Sequence, residues 1–151
     1  MTPQPVVYTA VPASDTSGVL SGRMGAWIVD FFVIGALWAV FAVASLVLGV
    51  LTFGLGWMIL PVLWPIVAVI YSGVTVSGPR RSTIGQRMFG VELRTVTGQT
   101  APFIVAAVHA VFFYVSISTL TPLVLLFGLV RADRRMLHDL LSGLIAVRRG
   151  T

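Results

Sequence analysis

Residues 24–76 form a long apolar stretch in which a single residue, Asp30, carries a charge. A helix that crosses the hydrocarbon core of a bilayer needs about 20 apolar residues. The stretch is therefore long enough for two crossings. Thr52-Phe-Gly-Leu-Gly56 supplies a turn between them, because glycine readily adopts positive φ. We predict two transmembrane helices, over about residues 24–50 and 57–76.

The first predicted helix carries two opposite charges, Arg23 at its start and Asp30 seven residues later. At 3.6 residues per turn and a 1.5 Å rise, the two side chains project from nearly the same face, roughly 10 Å apart along the axis. A carboxylate within a membrane is costly, normally faces the interior of a bundle, and marks a candidate functional site. Two interpretations stay open: Asp30 pairs with another charge to hold helices together, or it takes part in transport or binding.

Composition supports one compact membrane domain over residues 19–149, preceded by a flexible tail of residues 1–18. Of the 151 residues, 57% are hydrophobic and only 10% are charged. Cysteine is absent, which excludes disulfides, thiol nucleophiles and zinc–thiolate sites. All basic residues are arginines that flank apolar segments, and the net charge is +5. This pattern favours contact with anionic lipid headgroups over nucleic-acid binding.

A polar block follows the second apolar segment and contains four arginines, at positions 80, 81, 87 and 94. The turn between the first two helices carries no charge, so the positive-inside rule predicts that this block and the N-terminus lie in the cytoplasm. Val91–Val96 alternates apolar and polar residues, as strands do. Leu144–Val147 is a second short strand candidate. We expect the two to pair in a small cytoplasmic element.

The third apolar region, residues 103–130, contains Thr121-Pro122. One kinked span would place the following arginines outside the cell, against the charge rule, whereas two spans would need about 40 residues. We favour a broken helical hairpin with both ends in the cytoplasm, and a single span is the alternative. The predicted fold class is thus an all-α membrane protein with two firm transmembrane helices, a third broken apolar helical region and a small two-stranded cytoplasmic element.

Three motifs follow one another in the sequence: Arg23…Asp30, Thr83-x-Gly85-x-Arg87-x-x-Gly90 and Arg135-x-x-His138-Asp139-x-x-x-Gly143. In this order and spacing they resemble the RDD family of small bacterial membrane proteins over about residues 19–149. The family is named after one arginine and two aspartates, which by position are Arg23, Asp30 and Asp139. The resemblance implies a multi-pass protein of the bacterial plasma membrane, with transport suggested and sodium/proton antiport proposed for some members. Gln86, Glu92 and His109 depart from the family pattern, in which lysine, arginine and arginine are common.

These motifs yield one principal set of site residues and one secondary set. The principal set is a charge network or ion-coupling group of Arg23, Asp30 and Asp139. Asp139 either accepts hydrogen bonds from Arg87 or backbone amides in a cytoplasmic turn, or completes this network. The secondary candidates are Arg87, His109 and His138. His138 is either a proton relay beside Asp139 or a solvated interfacial side chain, and His109 needs a partner within its apolar helix.

The sequence contains no Gly-x-Ser-x-Gly or His-Glu-x-x-His motif, and only two histidines. We therefore expect no enzyme activity, no cofactor and no metal. Two functions remain. One is a transport or ion-coupling module in which Asp30 exchanges a proton or cation. The other is a non-catalytic accessory or scaffold protein whose charge network is structural. The expected partners are the lipid bilayer and its anionic headgroups, together with a second copy or another membrane protein.

Overall fold

The computed structural model of the protein describes residues 18–130 and 136–150; the side chains of residues 117–130 and 137 are not part of this description. The helices and strands follow one another as α1 (Val19–Leu51), a short 3-10 helix (Leu55–Ile59), α2 (Leu60–Ser77), α3 (Ile84–Met88), β1 (Val91–Thr95), α4 (Phe103–Val130), α5 (Leu137–Ser142) and β2 (Leu144–Arg148). The predicted flexible tail lies outside the described residues, except for Gly18.

Helix α1 confirms the first predicted apolar helix and begins five residues earlier, at Val19. Gly18 precedes it with a φ of 70°, a conformation that glycine adopts without strain. Only 17% of the residues in its most apolar 18-residue stretch are buried. Phe32, Val40 and Leu51 expose 70%, 68% and 72% of their surfaces. A long helix that is apolar on every side and mostly uncovered is typical of a membrane span, not of the core of a soluble protein.

The second predicted apolar helix is also confirmed, because Leu55–Ser77 is long and apolar enough to cross a membrane. Pro61 stands in the first turn of α2, where its missing N–H group has no helical acceptor to lose, whereas Pro65 lies inside the helix. In the connection before it, Gly54 has a φ of 99°. Gly56 serves a different purpose than expected, because a Cβ atom there would lie 2.5 Å from the backbone nitrogen of Gly49. It permits close approach of the two segments.

Strands β1 and β2 form the predicted two-stranded sheet. They pair antiparallel, with Val91 opposite Arg148 and Thr95 opposite Leu144. The buried side chains of the sheet pack on the ends of α1, α2 and α4 in one apolar cluster: Val19, Val76, Val91, Leu93, Ala101, Ala106, Leu144 and Ala146. A second cluster around Ile34, Leu63 and Val67 joins α1 to α2.

The predicted break in the third apolar region is wrong, because Phe103–Val130 is one continuous helix. The Thr121–Pro122 pair does not interrupt it, and membrane helices tolerate proline where the freed backbone groups find other partners. The segments on either side of α4 nevertheless meet, because β1 precedes it, β2 follows it, and the two are paired. The sheet thus brings the chain that leaves α4 back to the chain that enters it.

Candidate functional site

The first charged centre joins Arg23 of α1 to Asp139 of α5. Nη1 of Arg23 donates to Oδ2 of Asp139 at 2.5 Å, and Nη2 donates to Oδ1 at 2.9 Å. The side chains are 8% and 0% exposed, so water scarcely screens the pair. Two parallel hydrogen bonds from one guanidinium are the strongest way to hold a carboxylate.

The start of α5 sets the position of Asp139. Met136 precedes the helix in an extended conformation, and its backbone N–H donates to Oδ2 of Asp139 at 2.9 Å. Burial alone would raise the pKa of Asp139, but the charge and hydrogen bonds of Arg23 outweigh burial and hold that pKa well below its usual range. Asp139 therefore stays ionised as the partner of Arg23.

His138 is the next residue and is fully buried. Nη2 of Arg23 lies 2.9 Å from its Nε2. A guanidinium can only donate, so Nε2 must be the acceptor and the neutral ring carries its proton on Nδ1. Nδ1 is buried without a hydrogen-bond partner among the described residues. Burial lowers the pKa of His138 to about 3, and the nearby positive charge of Arg23 adds to this effect against the attraction of Asp139.

The interpretation of His138 as a solvated interfacial residue is therefore wrong. Its ring packs edge-on against the rings of His109 and Phe113, each with a centroid distance of 5.1 Å. It acts as a neutral acceptor for Arg23 inside the protein.

His109 of α4 contacts the same centre. Ser142 donates its hydroxyl proton to the carbonyl of His138 at 2.7 Å, so its oxygen accepts from Nδ1 of His109 at 2.9 Å. Nε2 of His109 then faces Oδ1 of Asp139 at 3.7 Å. A proton taken up at this nitrogen would lie directly toward a carboxylate. The partner expected for His109 is thus Ser142, with Asp139 close by.

His109, His138 and Asp139 also satisfy the spacing of a metal site, since their ligand atoms lie within 4.8 Å of one another. Arg23, however, already places Nη2 at 2.9 Å from both Nε2 of His138 and Oδ1 of Asp139. A divalent ion would have to displace this guanidinium or share the space with its positive charge. The geometry makes Arg23 the cation of this cluster.

The second charged centre surrounds Asp30 and does not include Arg23. Oδ1 of Asp30 accepts from the hydroxyl of Tyr71 at 2.7 Å and from the backbone N–H of Gly85 at 2.8 Å. Oδ2 accepts from the hydroxyl of Thr83 at 2.6 Å. Within the described part of the chain, no arginine or histidine forms an ion pair with this carboxylate. The predicted single network of Arg23, Asp30 and Asp139 is therefore two separate centres.

The loop before α3 is built to reach Asp30. Thr83 caps α3 by accepting from the backbone N–H of Gln86 at 3.2 Å, while the side chain of Gln86 accepts from the N–H of Thr83 at 3.0 Å. Gly85 lets the helix approach α1, because a Cβ atom there would lie 2.2 Å from the carbonyl oxygen of Ala26. The family motif around residue 85 thus serves to place two donors on Asp30.

Arg87 takes a position different from the predicted one. Its Nε donates at 3.4 Å to the carbonyl of Thr83, the residue that caps the helix in which Arg87 lies. Glu92, which stands where arginine is common in the family, forms an ion pair with Arg94 on the same strand.

A cavity of ≈ 300 Å³ lies between α1 and α4 and separates the two centres. It is lined mainly by apolar side chains, and its polar lining comes from Arg23, Ser72, Asp30, Thr83, Gln86, His109 and Tyr114. Trp27 and Ile28, at the rim, are 44% and 53% exposed, so the cavity opens at the outer surface of α1. Asp30 is the polar group of this cavity that carries a charge without a basic partner in the described structure.

Sequence analysis did not select Tyr71 and Thr83, although both contact Asp30. For Tyr71 a signal existed, because a tyrosine hydroxyl inside an apolar span needs a hydrogen-bond partner and Asp30 is the acidic residue of that stretch. For Thr83, the motif indicated importance but gave no partner.

Comparison with known proteins supports the resemblance noted above. The chain matches the family model described as the RDD family over residues 18–143, which spans α1 to the glycine that ends α5. Comparisons with curated proteins and with solved structures gave no significant match. Because the family match covers most of the sequence and includes both charged centres, the chain belongs to the RDD family.

Proposed function

We propose that this protein is a transport or ion-coupling module of the bacterial plasma membrane, and that Asp30 is the carboxylate that binds and releases a cation or proton. One observation carries the proposal: Asp30 borders an open cavity and is held by three neutral donors, with no basic side chain paired to it in the described structure. A carboxylate kept in place but not neutralised retains attraction for a mobile cation.

The Arg23–Asp139 centre supports the assignment of Asp30 as the carboxylate that binds and releases a cation or proton. Arg23 is fully engaged by Asp139 and His138, so it does not compensate the charge of Asp30 by direct contact. The cavity lining contains Arg23 and Asp30 as its charged members, and Asp139 balances the first of these. The net negative charge at the cavity is therefore that of Asp30.

We propose in addition that the N-terminus and the two-stranded sheet face the cytoplasm. The arginines of the block after α2 and Arg148 on β2 lie on the side of the sheet, and the turn between α1 and α2 carries no charge. The same basic surface would contact anionic lipid headgroups.

The competing function is that of a non-catalytic membrane accessory or scaffold protein whose charge network is structural. The observation that favours it is the buried Arg23–Asp139 pair, which ties the first helix to the last one and needs no ligand to explain it. A second copy or another membrane protein would then cover the exposed apolar faces.

Flux measurements in proteoliposomes separate the two functions. The full chain would be reconstituted under a pH gradient and a sodium gradient, and wild type compared with Asp30→Asn. Glu92→Gln is the matched control, because it also changes one carboxylate to an amide but lies on β1, paired with Arg94. Transport predicts that Asp30→Asn abolishes flux and Glu92→Gln retains it. Full flux in a monodisperse Asp30→Asn protein would eliminate Asp30 as the coupling group.

A further inference from the structure

The cavity between α1 and α4 combines a carboxylate with aromatic and aliphatic walls. Asp30 and the hydroxyl of Thr83 lie on its polar side, while Trp27, Phe113 and Tyr114 contribute rings to its lining. A volume of ≈ 300 Å³ suits a small ligand, because ligand pockets begin at about this size.

The apolar walls favour a ligand that carries apolar groups of its own. A hydrated metal ion prefers several oxygen ligands and gains nothing from these apolar walls. An organic cation, by contrast, gains from burying its apolar substituents and from placing its positive charge near aromatic faces. The carboxylate of Asp30 adds charge attraction in a site where solvent screening is weak.

The remaining charged groups near the cavity are compatible with such a ligand. Arg23 is neutralised by Asp139, and His138, which accepts from Arg23, is a neutral ring. Arg87 does not line the cavity and donates to the carbonyl of Thr83. Asp30 is thus the charge that a ligand in the cavity would meet unpaired.

We propose that this cavity binds a small organic cation, a substituted ammonium with apolar groups, whose charge lies at Asp30 and whose apolar part lies against Trp27 and Phe113. The inference rests on the proposed function in that it names a ligand class for the same carboxylate. The ligand would enter at the rim formed by Trp27 and Ile28, on the exposed side of α1.

Equilibrium binding without any gradient tests this inference. The full chain would be placed in nanodiscs of phosphatidylcholine, whose zwitterionic headgroups do not accumulate cations, and ligand binding followed by saturation-transfer NMR. The probe is benzyltrimethylammonium, and its uncharged isostere, neopentylbenzene, has carbon in place of nitrogen. Benzenesulfonate supplies the opposite charge, and empty nanodiscs correct for partition into lipid.

We expect the cation to bind about tenfold more tightly than its neutral isostere, because charge attraction adds to apolar burial. Asp30→Asn should remove this preference and leave affinity for the isostere unchanged. Trp27→Ala should weaken both ligands, whereas Phe32→Ala, at an exposed position of α1 outside the cavity, should weaken neither.

Equal binding of the cation and its isostere by wild type, or tighter binding of the sulfonate, would overturn the inference. If Asp30→Asn does not fold, the comparison of ligands on wild type and on Trp27→Ala still decides it. Cation binding that depends on Asp30 without any flux in proteoliposomes would refute transport alone. Flux that depends on Asp30 without binding of the organic cation would refute only this inference.

Discussion

Arg23 and Asp139 lie 116 residues apart in the sequence and form a doubly hydrogen-bonded ion pair inside the protein. The pair fixes α5 against the beginning of α1, while β2, which follows α5, pairs with β1. Removing one member would leave a buried charge without its partner, which is a far larger loss than that of a surface ion pair.

We predict that Arg23→Met lowers the free energy of unfolding by about 3–5 kcal/mol, because Asp139 is then buried without a cation. A double-mutant cycle with Asp139→Asn should show strong coupling, so that the double variant loses much less than the sum of the single ones. Unfolding of the protein in mixed micelles by denaturing detergent provides the measurement.

Two controls sharpen this cycle. The Arg94–Glu92 pair should give a smaller coupling, because the side chain of Arg94 is 28% exposed and water screens its charge more than that of Arg23. The cycle of Arg23→Met with Asp30→Asn should be additive within about 0.5 kcal/mol, since the two side chains belong to separate centres. Strong coupling between Arg23 and Asp30 would contradict the structure and restore the single network.

The sequence predicted which charged residues form the candidate site, namely Arg23, Asp30 and Asp139, but not how they pair. The spacing of Arg23 and Asp30 shows that they share a face of α1, and a shared face does not determine which element supplies a partner. Asp139 could be assigned to Arg23 only once the sheet had brought α5 back to α1. The sheet itself was predictable, because β1 alternates apolar and polar residues and β2 follows a glycine.

Two other expectations, which rested on the local sequence, were wrong. His138 follows a basic segment, which suggested solvent, yet its ring is covered by His109 and Phe113 from α4. Pro122 suggested a break, yet the backbone of α4 continues through it. The burial of His138 depends on a neighbouring helix, which composition near the residue does not report.

The pKa of His138 makes stability depend on pH in a definite direction. Its pKa is about 3 in the folded protein and about 6.5 when unfolded. Between these values the unfolded state binds a proton that the folded state does not. The contribution of the neutral ring is therefore complete above about pH 6.5 and declines as the pH falls, by at most about 1.4 kcal/mol per pH unit.

The matched variant is His138→Gln, whose amide oxygen can still accept from Arg23 but does not titrate. Between pH 7 and pH 4.5, wild type should lose about 2 kcal/mol more of its unfolding free energy than this variant. Asp139 adds to the loss only below about pH 4, because its pKa is lowered from that value. Parallel pH profiles for the two proteins would show that His138 is not a buried neutral ring.

Tyr71 provides a test of the second centre. Its hydroxyl donates to Asp30 at 2.7 Å and accepts from the backbone N–H of Ile84 at 3.0 Å. Tyr71→Phe removes both hydrogen bonds, and we expect a loss of about 1–3 kcal/mol in the free energy of unfolding. Tyr114→Phe is the control, because the described structure shows no hydrogen bond to that hydroxyl; it should change stability by no more than about 0.5 kcal/mol. Equal effects of the two substitutions would argue against the Asp30 centre.

Gly85 tests whether the close approach of α3 to α1 is required. A Cβ atom at this position would lie 2.2 Å from the carbonyl oxygen of Ala26 and 2.9 Å from Cγ of Asp30. Neither the backbone of Ala26 nor the hydrogen-bonded carboxylate of Asp30 can move without cost. Gly85→Ala should therefore displace α3 and lower the free energy of unfolding by about 2 kcal/mol or more.

Gly35→Ala, within α1, is the matched control. Its new methyl group would lie 3.8 Å from the ring of Trp64, an ordinary contact, and alanine favours the helix by up to about 1 kcal/mol. Denaturation should therefore show Gly85→Ala destabilised and Gly35→Ala unchanged or stabilised, and an unchanged Gly85→Ala protein would mean that α3 does not pack directly on α1.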